Sequence, residues 1–304
     1  MTSTLADRYP TRTADTPQIL ERPDPAVWGD RPGPLADPSL DAYARTGFLA
    51  LEHLFDRAEV QTCLDELDRL GAELRAAEDE RVAFEGDTRQ VRSIFEVHLL
   101  SKEIRGILVQ PKVVDMARQI LGSEVYVHQC RINCKPGFDG GPFHWHSDFE
   151  TWHAEDGMPR PRAFSISVAL TENYPFNGAL MIMPGTHAKF ITCCGTTPPG
   201  YFHDSLRRHE PGAQVGMPDR ASLTRMSDEH GIECFAGKPG SATVFDSNCL
   251  HGSNGNVTPF PRSNLFVVFN SVENTLVEPF AAPERRPPFI AARDFTPLAE
   301  LAKR

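Results

Sequence analysis

The spacing of apolar residues along the chain follows a helical period in its first part and a period of two in its second. Val60, Leu64, Leu67, Leu70 and Leu74 recur at helical intervals against a face of Asp, Glu and Arg, which predicts an amphipathic helix. Asp56 stands three residues before Glu59, the spacing of a capping box, so the helix is expected to open there. The charge run from Glu73 to Arg81 reads as its solvated end. Upstream, Ser39 is placed to cap a short helix through Ala44 that Gly47 closes, and GFLALEHLF follows as a short strand and turn. Ser101 to Leu121 reads as two helical pieces broken at Pro111, the second closed by Gly122.

From Glu124 the period is two. EVYVHQCRINCK places Tyr126, His128, Cys130 and Ile132 on one face, and Gln129, Arg131, Asn133 and Lys135 on the other. A strand with a polar, cationic face either lies wet outside or lines a polar cavity. In RAFSISVALTE, Phe164, Ile166, Val168 and Leu170 face one way, while the small Ala163, Ser165, Ser167 and Ala169 face the other and leave room. SATVFD and RSNLFVVFNS add strands near the carboxyl end. Helices first and many short strands afterwards predict a mainly β sandwich or barrel with helices packed outside, not alternating βαβ units. The segment from Gly195 to Gly231 has weak periodicity and is read as a long loop, either a lid or a disordered insertion.

Residues 1–38 carry prolines at positions 10, 17, 23, 25, 32, 34 and 38. That spacing prevents helix and predicts an extended arm, loose or wrapped on the body or on a partner subunit, ahead of a domain spanning 39–304. Length and a 40% share of hydrophobic residues allow a sizeable core. With 31 basic against 41 acidic residues, the net charge of −10 excludes a dedicated nucleic-acid or anionic-membrane binder. A small-molecule partner is expected instead. No run approaches the roughly 18 apolar residues of a membrane span. An odd count of 7 cysteines without disulfide spacing predicts free thiols and a cytoplasmic location; Cys130 and Cys134 read as buried thiols rather than a zinc pair.

The candidate chemistry is concentrated in FHWHSDFETWH, Phe143 to His153. On a strand, His144, His146 and Asp148 share one face, with Trp145, Ser147 and Phe149 on the other. His-x-Asp alone is a weak motif. Its weight rises because SNCLHGSNGN places His251 at a strand turn and Arg262 follows at the start of the next strand. Two histidines and one carboxylate on one side of a metal leave three positions open, the arrangement suited to ferrous iron that binds a cosubstrate and dioxygen. A guanidinium then grips the far carboxylate of a dicarboxylate cosubstrate through paired charge-assisted bonds.

On these residues the chain resembles the Fe(II)/2-oxoglutarate dioxygenases of the phytanoyl-CoA-hydroxylase-like branch, with their H-x-D…H…R pattern on a double-stranded β-helix, the jelly-roll or cupin-like core. FHWHSDFETWHAEDGMP, Phe143 to Pro159, further resembles the motif of the ectoine hydroxylase family at every fixed position. The resemblance covers nearly all of the chain from about residue 40 and implies hydroxylation of ectoine, a compatible solute of osmotic stress, to 5-hydroxyectoine. 2-Oxoglutarate and dioxygen are consumed, and succinate and carbon dioxide released. It places the iron ligands at His146, Asp148 and His251 and the 2-oxoglutarate anchor at Arg262. It also implies Phe143, Asn133, Lys135 and Ser165 on the cosubstrate side, and Gln129, Thr151, Trp152, Phe245 and Asn264 around ectoine. Trp152 and Phe245 suit the amidinium cation through ring-face attraction, although core packing explains Trp152 equally well. His144 is expected to support the site without ligating, as are Glu150 and His153, with Asp156 and Gly157 forming a turn. No general base beyond the metal site is expected, and the resemblance implies a homodimer.

Three competing readings remain open on sequence alone. One is a hydroxylase of the same fold acting on another small amino-acid-like substrate. Another is a non-oxidative cupin, since His144, His146, Glu150 and Gly157 reproduce part of its spacing, for which the expected second half is absent around Pro184 to His187. The third is a zinc hydrolase built on His144, His146 and Asp148, where Phe149 stands in place of the histidine such a cluster needs.

Overall fold

The computed structural model describes residues 6–201 and 215–301. In chain order the elements are β1 (Ile19–Glu21), α1 (Asp37–Thr46), β2 (Phe48–Leu51), α2 (Arg57–Ala76), β3 (Val82–Phe84), β4 (Val91–Phe95), α3 (Val97–Leu100), α4 (Lys102–Leu108), α5 (Pro111–Leu121) and β5 (Val125–Lys135). There follow β6 (Phe143–His146), α6 (Asp148–Thr151), β7 (Ala163–Ala169), β8 (Leu180–Ile182), β9 (Lys189–Ile191), β10 (Glu233–Phe235), β11 (Ala242–Asp246), β12 (His251–Ser253) and β13 (Arg262–Ser271). A seven-stranded sheet in the order β2-β11-β7-β13-β5-β4-β3 and a four-stranded sheet in the order β10-β8-β12-β6 form the two walls of a jelly roll. Among the described residues every strand pair is antiparallel.

The helices cover the outer face of the larger sheet. Val60, Leu70 and Leu74 of α2, Ile104 of α4 and Val113 and Ile120 of α5 share one core with Ile132 of β5, Ile166 and Val168 of β7, Val244 of β11 and Leu265 of β13. Alternation therefore turns Ser165, Ser167, Thr243, Asn264 and Phe266 to the inner face, where the binding space lies.

Strand β5 departs from the alternation read in the sequence. Its register against β13 passes from Gln129 opposite Val268 to Val127 opposite Phe269, so His128 is an extra residue in a bulge. Val125 and Val127 before the bulge, and Cys130, Ile132 and Cys134 after it, all join the outer core. His128 and Gln129 both turn inward: His128 meets Trp152 edge-on at 5.0 Å, and Gln129 lines the cavity described below. The expected grouping of Tyr126 and His128 with Cys130 and Ile132 is thus wrong by one bulge.

The capping box of α2 forms as expected, with Glu59 N donating to Asp56 at 2.9 Å and Asp56 N donating to Glu59 at 2.8 Å. Ser101 caps α4, and Gly122 closes α5 in the left-handed region at φ 63°. Other boundaries moved. α1 starts at Asp37 with Ala36 as N-cap and no side-chain cap, because Pro38 already presets its first turn. The end of the charge run after α2 folds back on itself through the Asp79–Arg81 pair at 2.6 Å, leading into β3 and β4, which are too short to show a period. Within 195–231, residues 220–230 form a helix whose N-terminus Asp219 caps, so a structureless loop is not what the described part shows; residues 202–214 lie outside the described residues.

The amino-terminal stretch lies on the body. β1 pairs with β9, Trp28 N donates to Ile120 O at 2.8 Å, and a Cβ on Gly122 would meet Trp28 O at 1.8 Å. Asp56→Ala removes a cap remote from the inner cavity. It is expected to lower unfolding free energy by about 1 kcal/mol, read as a lower denaturation midpoint; an unchanged midpoint would show that the cap contributes nothing.

Candidate metal centre

The pairing of β6 with β12 sets His146 directly opposite His251. β6 stops at His146, and the Ser147 hydroxyl accepts a bond from Glu150 N, opening a helical turn that begins at Asp148. Asp148 therefore reaches the histidines from a helix N-terminus rather than from the shared strand face expected. His146, Asp148 and His251 each offer one ligand atom, and these lie within 4.8 Å of one another. His146 Nε2 is 3.5 Å from Asp148 Oδ1 and His251 Nε2 is 3.8 Å from Oδ2.

Both rings are oriented from behind. His146 Nδ1 lies 2.7 Å from His144 O, and His251 Nδ1 lies 3.1 Å from Cys249 O. A carbonyl needs a donor, so each Nδ1 carries the proton and each Nε2 turns its lone pair to the common centre. Burial, and then the neighbouring His146, push His251 down to about 4, which keeps it neutral at physiological pH. Burial alone would raise Asp148, but His251 and His146 hold it well below the ordinary carboxylate range. Two neutral imidazoles and an ionised carboxylate on one side of a gap fit a divalent metal with open positions on the other.

That gap opens into a cavity of about 220 Å³. Among the residues expected at the site, Gln129, Asn133, Phe143, His146, Asp148, Thr151 and Trp152 line it. Others stand around it. Ser165 donates to Asp148 Oδ2 at 3.3 Å, the Phe245 ring packs 4.9 Å from His251, and Lys135 Nζ lies 4.9 Å over the Phe143 ring. Asn264 sits opposite Asn133 in register but donates to Ser167, and with Ser167 and Thr243 it lines a separate pocket. Arg262 pairs in register with Lys135. Its side chain is buried, and neither Nε nor Nη2 has a partner.

Arg262 and Lys135 form a cationic interior in which a nearby carboxylate, Glu85, is already paired with Arg92. Burial pushes the Arg262 guanidinium down to about 10. Burial, then Arg262 and Arg92, push Lys135 down to about 6, and its ammonium is left with two backbone carbonyls, Gly141 O and Asn254 O. Such a region is stabilised by an anion placed within it.

Sequence reading missed Arg92, Arg131 and Arg286, which also line the cavity. Arg131 was legible as part of the polar face of β5. Arg92 and Arg286 carried no local signal, since their places depend on the Arg92–Glu85 pair at 2.8 Å and on the bidentate hold of Arg286 on Asp156 at 2.7 and 2.6 Å. Asp156 is accordingly a fully buried ion-paired carboxylate that also meets His128 at 3.4 Å, more than the turn residue expected. His144 lines the cavity but falls outside the ligand cluster. Glu150 is turned away to bind Arg12 at 2.8 Å, which leaves neither the zinc-hydrolase cluster nor the cupin set assembled.

The sequence matches the family described as phytanoyl-CoA dioxygenase (PhyH) over residues 43–264. It is 53% identical to the ectoine dioxygenase of Nocardia farcinica, covering 96% of this chain and 95% of that one. It is 54% identical to that of Streptomyces coelicolor, covering 98% of each. Among solved structures it is similar to EctD from S. alaskensis with 2-oxoglutarate and 5-hydroxyectoine, at 41% identity, 95% coverage of both chains and a TM-score of 0.84. The same enzyme with bound Fe matches at 41% identity, 95% coverage of both chains and a TM-score of 0.83. With that agreement along nearly the whole of its length, the chain belongs to the ectoine dioxygenases of the phytanoyl-CoA dioxygenase family.

Proposed function

We propose that the protein is a non-haem Fe(II)- and 2-oxoglutarate-dependent dioxygenase that hydroxylates ectoine to 5-hydroxyectoine, with succinate and carbon dioxide as co-products. The observation that carries the reading is a His146–Asp148–His251 cluster facing a cavity, inside a barrel that also holds the buried Arg262 guanidinium, whose Nε and Nη2 have no partner among the described residues. His146, Asp148 and His251 would hold the iron. When bound, ferrous iron supplies the redox chemistry that couples dioxygen and 2-oxoglutarate to hydroxylation.

The chain's own residues bind, orient and exclude water. Arg262 anchors the far carboxylate of 2-oxoglutarate, and Lys135, Asn133, Phe143 and Ser165 shape that side. A dianion there supplies the charge that Arg262 and Lys135 lack. Trp152 and Phe245 offer ring faces to the ectoine amidinium, while Gln129 and Thr151 fix its polar edge. Gln129 Nε2 is already committed to Ile290 O at 2.7 Å and its Oε1 is buried without a partner, so an N–H of the substrate ring is the donor it lacks. Holding one ring carbon toward the metal is what selects the hydroxylated position.

Seven free cysteines suit a reducing cytoplasm. A homodimer is proposed from the resemblance, and the exposed Phe138, Phe176, Val257 and Phe260 are apolar surface available for such pairing.

Alanine at His146, Asp148 or His251 is expected to abolish iron retention and turnover. Arg262→Ala is expected to keep iron but raise the 2-oxoglutarate requirement by at least about a hundredfold, as for loss of a bidentate charge pair. Iron analysis with succinate and hydroxyectoine quantification checks both, and normal turnover in His251→Ala removes that residue from the triad. Trp152→Ala is expected to raise the ectoine KM by about tenfold or more, as for a desolvated cation–ring contact, with iron content intact; loss of iron would make the tryptophan structural. Sedimentation is expected to return twice the chain mass, and a monomer mass overturns the dimer.

A further inference from the structure

The back of the segment that begins at Asp148 meets one buried guanidinium that the reaction does not use. Arg12 lies in the amino-terminal stretch, in the left-handed region at φ 57°, and its side chain is fully buried. Nε and Nη2 grip Glu150 at 3.0 and 2.8 Å, and Nη1 donates to Glu155 at 2.8 Å and to Thr197 at 2.7 Å.

Glu150 and Glu155 both belong to the helical segment that starts at the metal ligand Asp148. Its second half, Trp152–Asp156, is wound as a π-turn. That wider winding lets two residues five apart reach one cation, while Thr151 and Trp152 line the cavity on the other side. Neighbouring residues of the arm clamp the same segment. Asp7 lies 3.1 Å from His153 Nε2, the Tyr9 ring packs 4.9 Å from Phe149, and the Thr11 hydroxyl donates to Glu150 at 2.7 Å. The cavity mouth is tied in as well: a Cβ on Gly216 would lie 2.4 Å from Arg12 Nη2, and Gly216 lines the mouth beside His144 and Thr151.

We propose that Arg12 is a positioning residue for hydroxylation: by bridging Glu150 and Glu155 it fixes the tilt of the Asp148–Asp156 segment, and so sets Thr151 and Trp152 against the substrate. The proposal rests on the dioxygenase reading above. Iron capture needs Asp148 only at the start of the segment, where Ser147 and the strand pairing of His146 with His251 already hold it. The lever grows along the segment, so substrate placement suffers before metal binding does. Lysine cannot replace the bridge, because one ammonium cannot make the forked contact with Glu150 and reach Glu155 and Thr197 together.

The test compares Arg12→Lys with the double variant Arg12→Met/Glu150→Gln, which removes both the cation and the carboxylate that would be stranded. Amide hydrogen exchange across 148–157 is expected to accelerate by at least about tenfold in both, while iron per chain stays at the wild-type level. The ectoine KM is expected to rise by about ten- to a hundredfold, with hydroxyectoine falling below one per succinate as the substrate is misplaced. Unchanged exchange and coupling in either folded variant overturns the proposal. A parallel fall of iron content, melting temperature and kcat also overturns it, since that pattern marks fold support alone. Wild-type enzyme assayed alongside separates the two readings: no hydroxyectoine from wild type defeats the dioxygenase reading, while exchange still reports on Arg12.

Discussion

The antiparallel pairing of β6 with β12 is the constraint on which the site depends. It sets His146 across from His251 although β7, β8, β10 and β11 lie between them in the chain. Backbone hydrogen bonds between strands hold a spacing that two mobile side chains would not keep alone. The third ligand then needs only a tight turn, which Ser147 supplies by capping the segment that Asp148 opens. A metal gathered in this way closes a strand pair from both sides, so the binding of the ion and the integrity of the smaller sheet support each other.

Electrostatics divides the interior into two regions. Around Asp148 one carboxylate and two imidazoles turn their lone pairs to one point, with Arg131 acting on the carboxylate from further off. Around Arg262 and Lys135 the positive groups outnumber the nearby carboxylate, Glu85, which Arg92 already engages, so the set is short of negative charge. A metal ion chelated by a dicarboxylate serves both regions with one assembly. Neither region is visible from net charge, because the overall −10 resides elsewhere on the chain.

Much of the metal cluster was legible because its parts are local. His146 and Asp148 lie in one short run, and His251 follows a clear strand at a turn. The outer faces of β7 and β13 were legible from their period of two, and α2 from its cap and apolar stripe. What escaped depends on contacts distant in sequence. Arg286 and Arg92 are placed by carboxylates that no local pattern points to. Arg12 stands in a proline-rich stretch with no period at all. The helix at 220–230 buries only Ser222 and Met226, too narrow a stripe to be read as amphipathic. The phase of β5 was misread because a bulge inserts one residue into an otherwise regular alternation.

That inserted residue governs how the barrel can be re-engineered. A designer who widens the pocket by changing every second position along β5 must recount at His128, since upstream of it odd-numbered residues point to the helices and downstream even-numbered ones do. Deleting the residue would straighten the strand and leave both of its faces as they are, taking from the interior only the imidazole that meets Trp152.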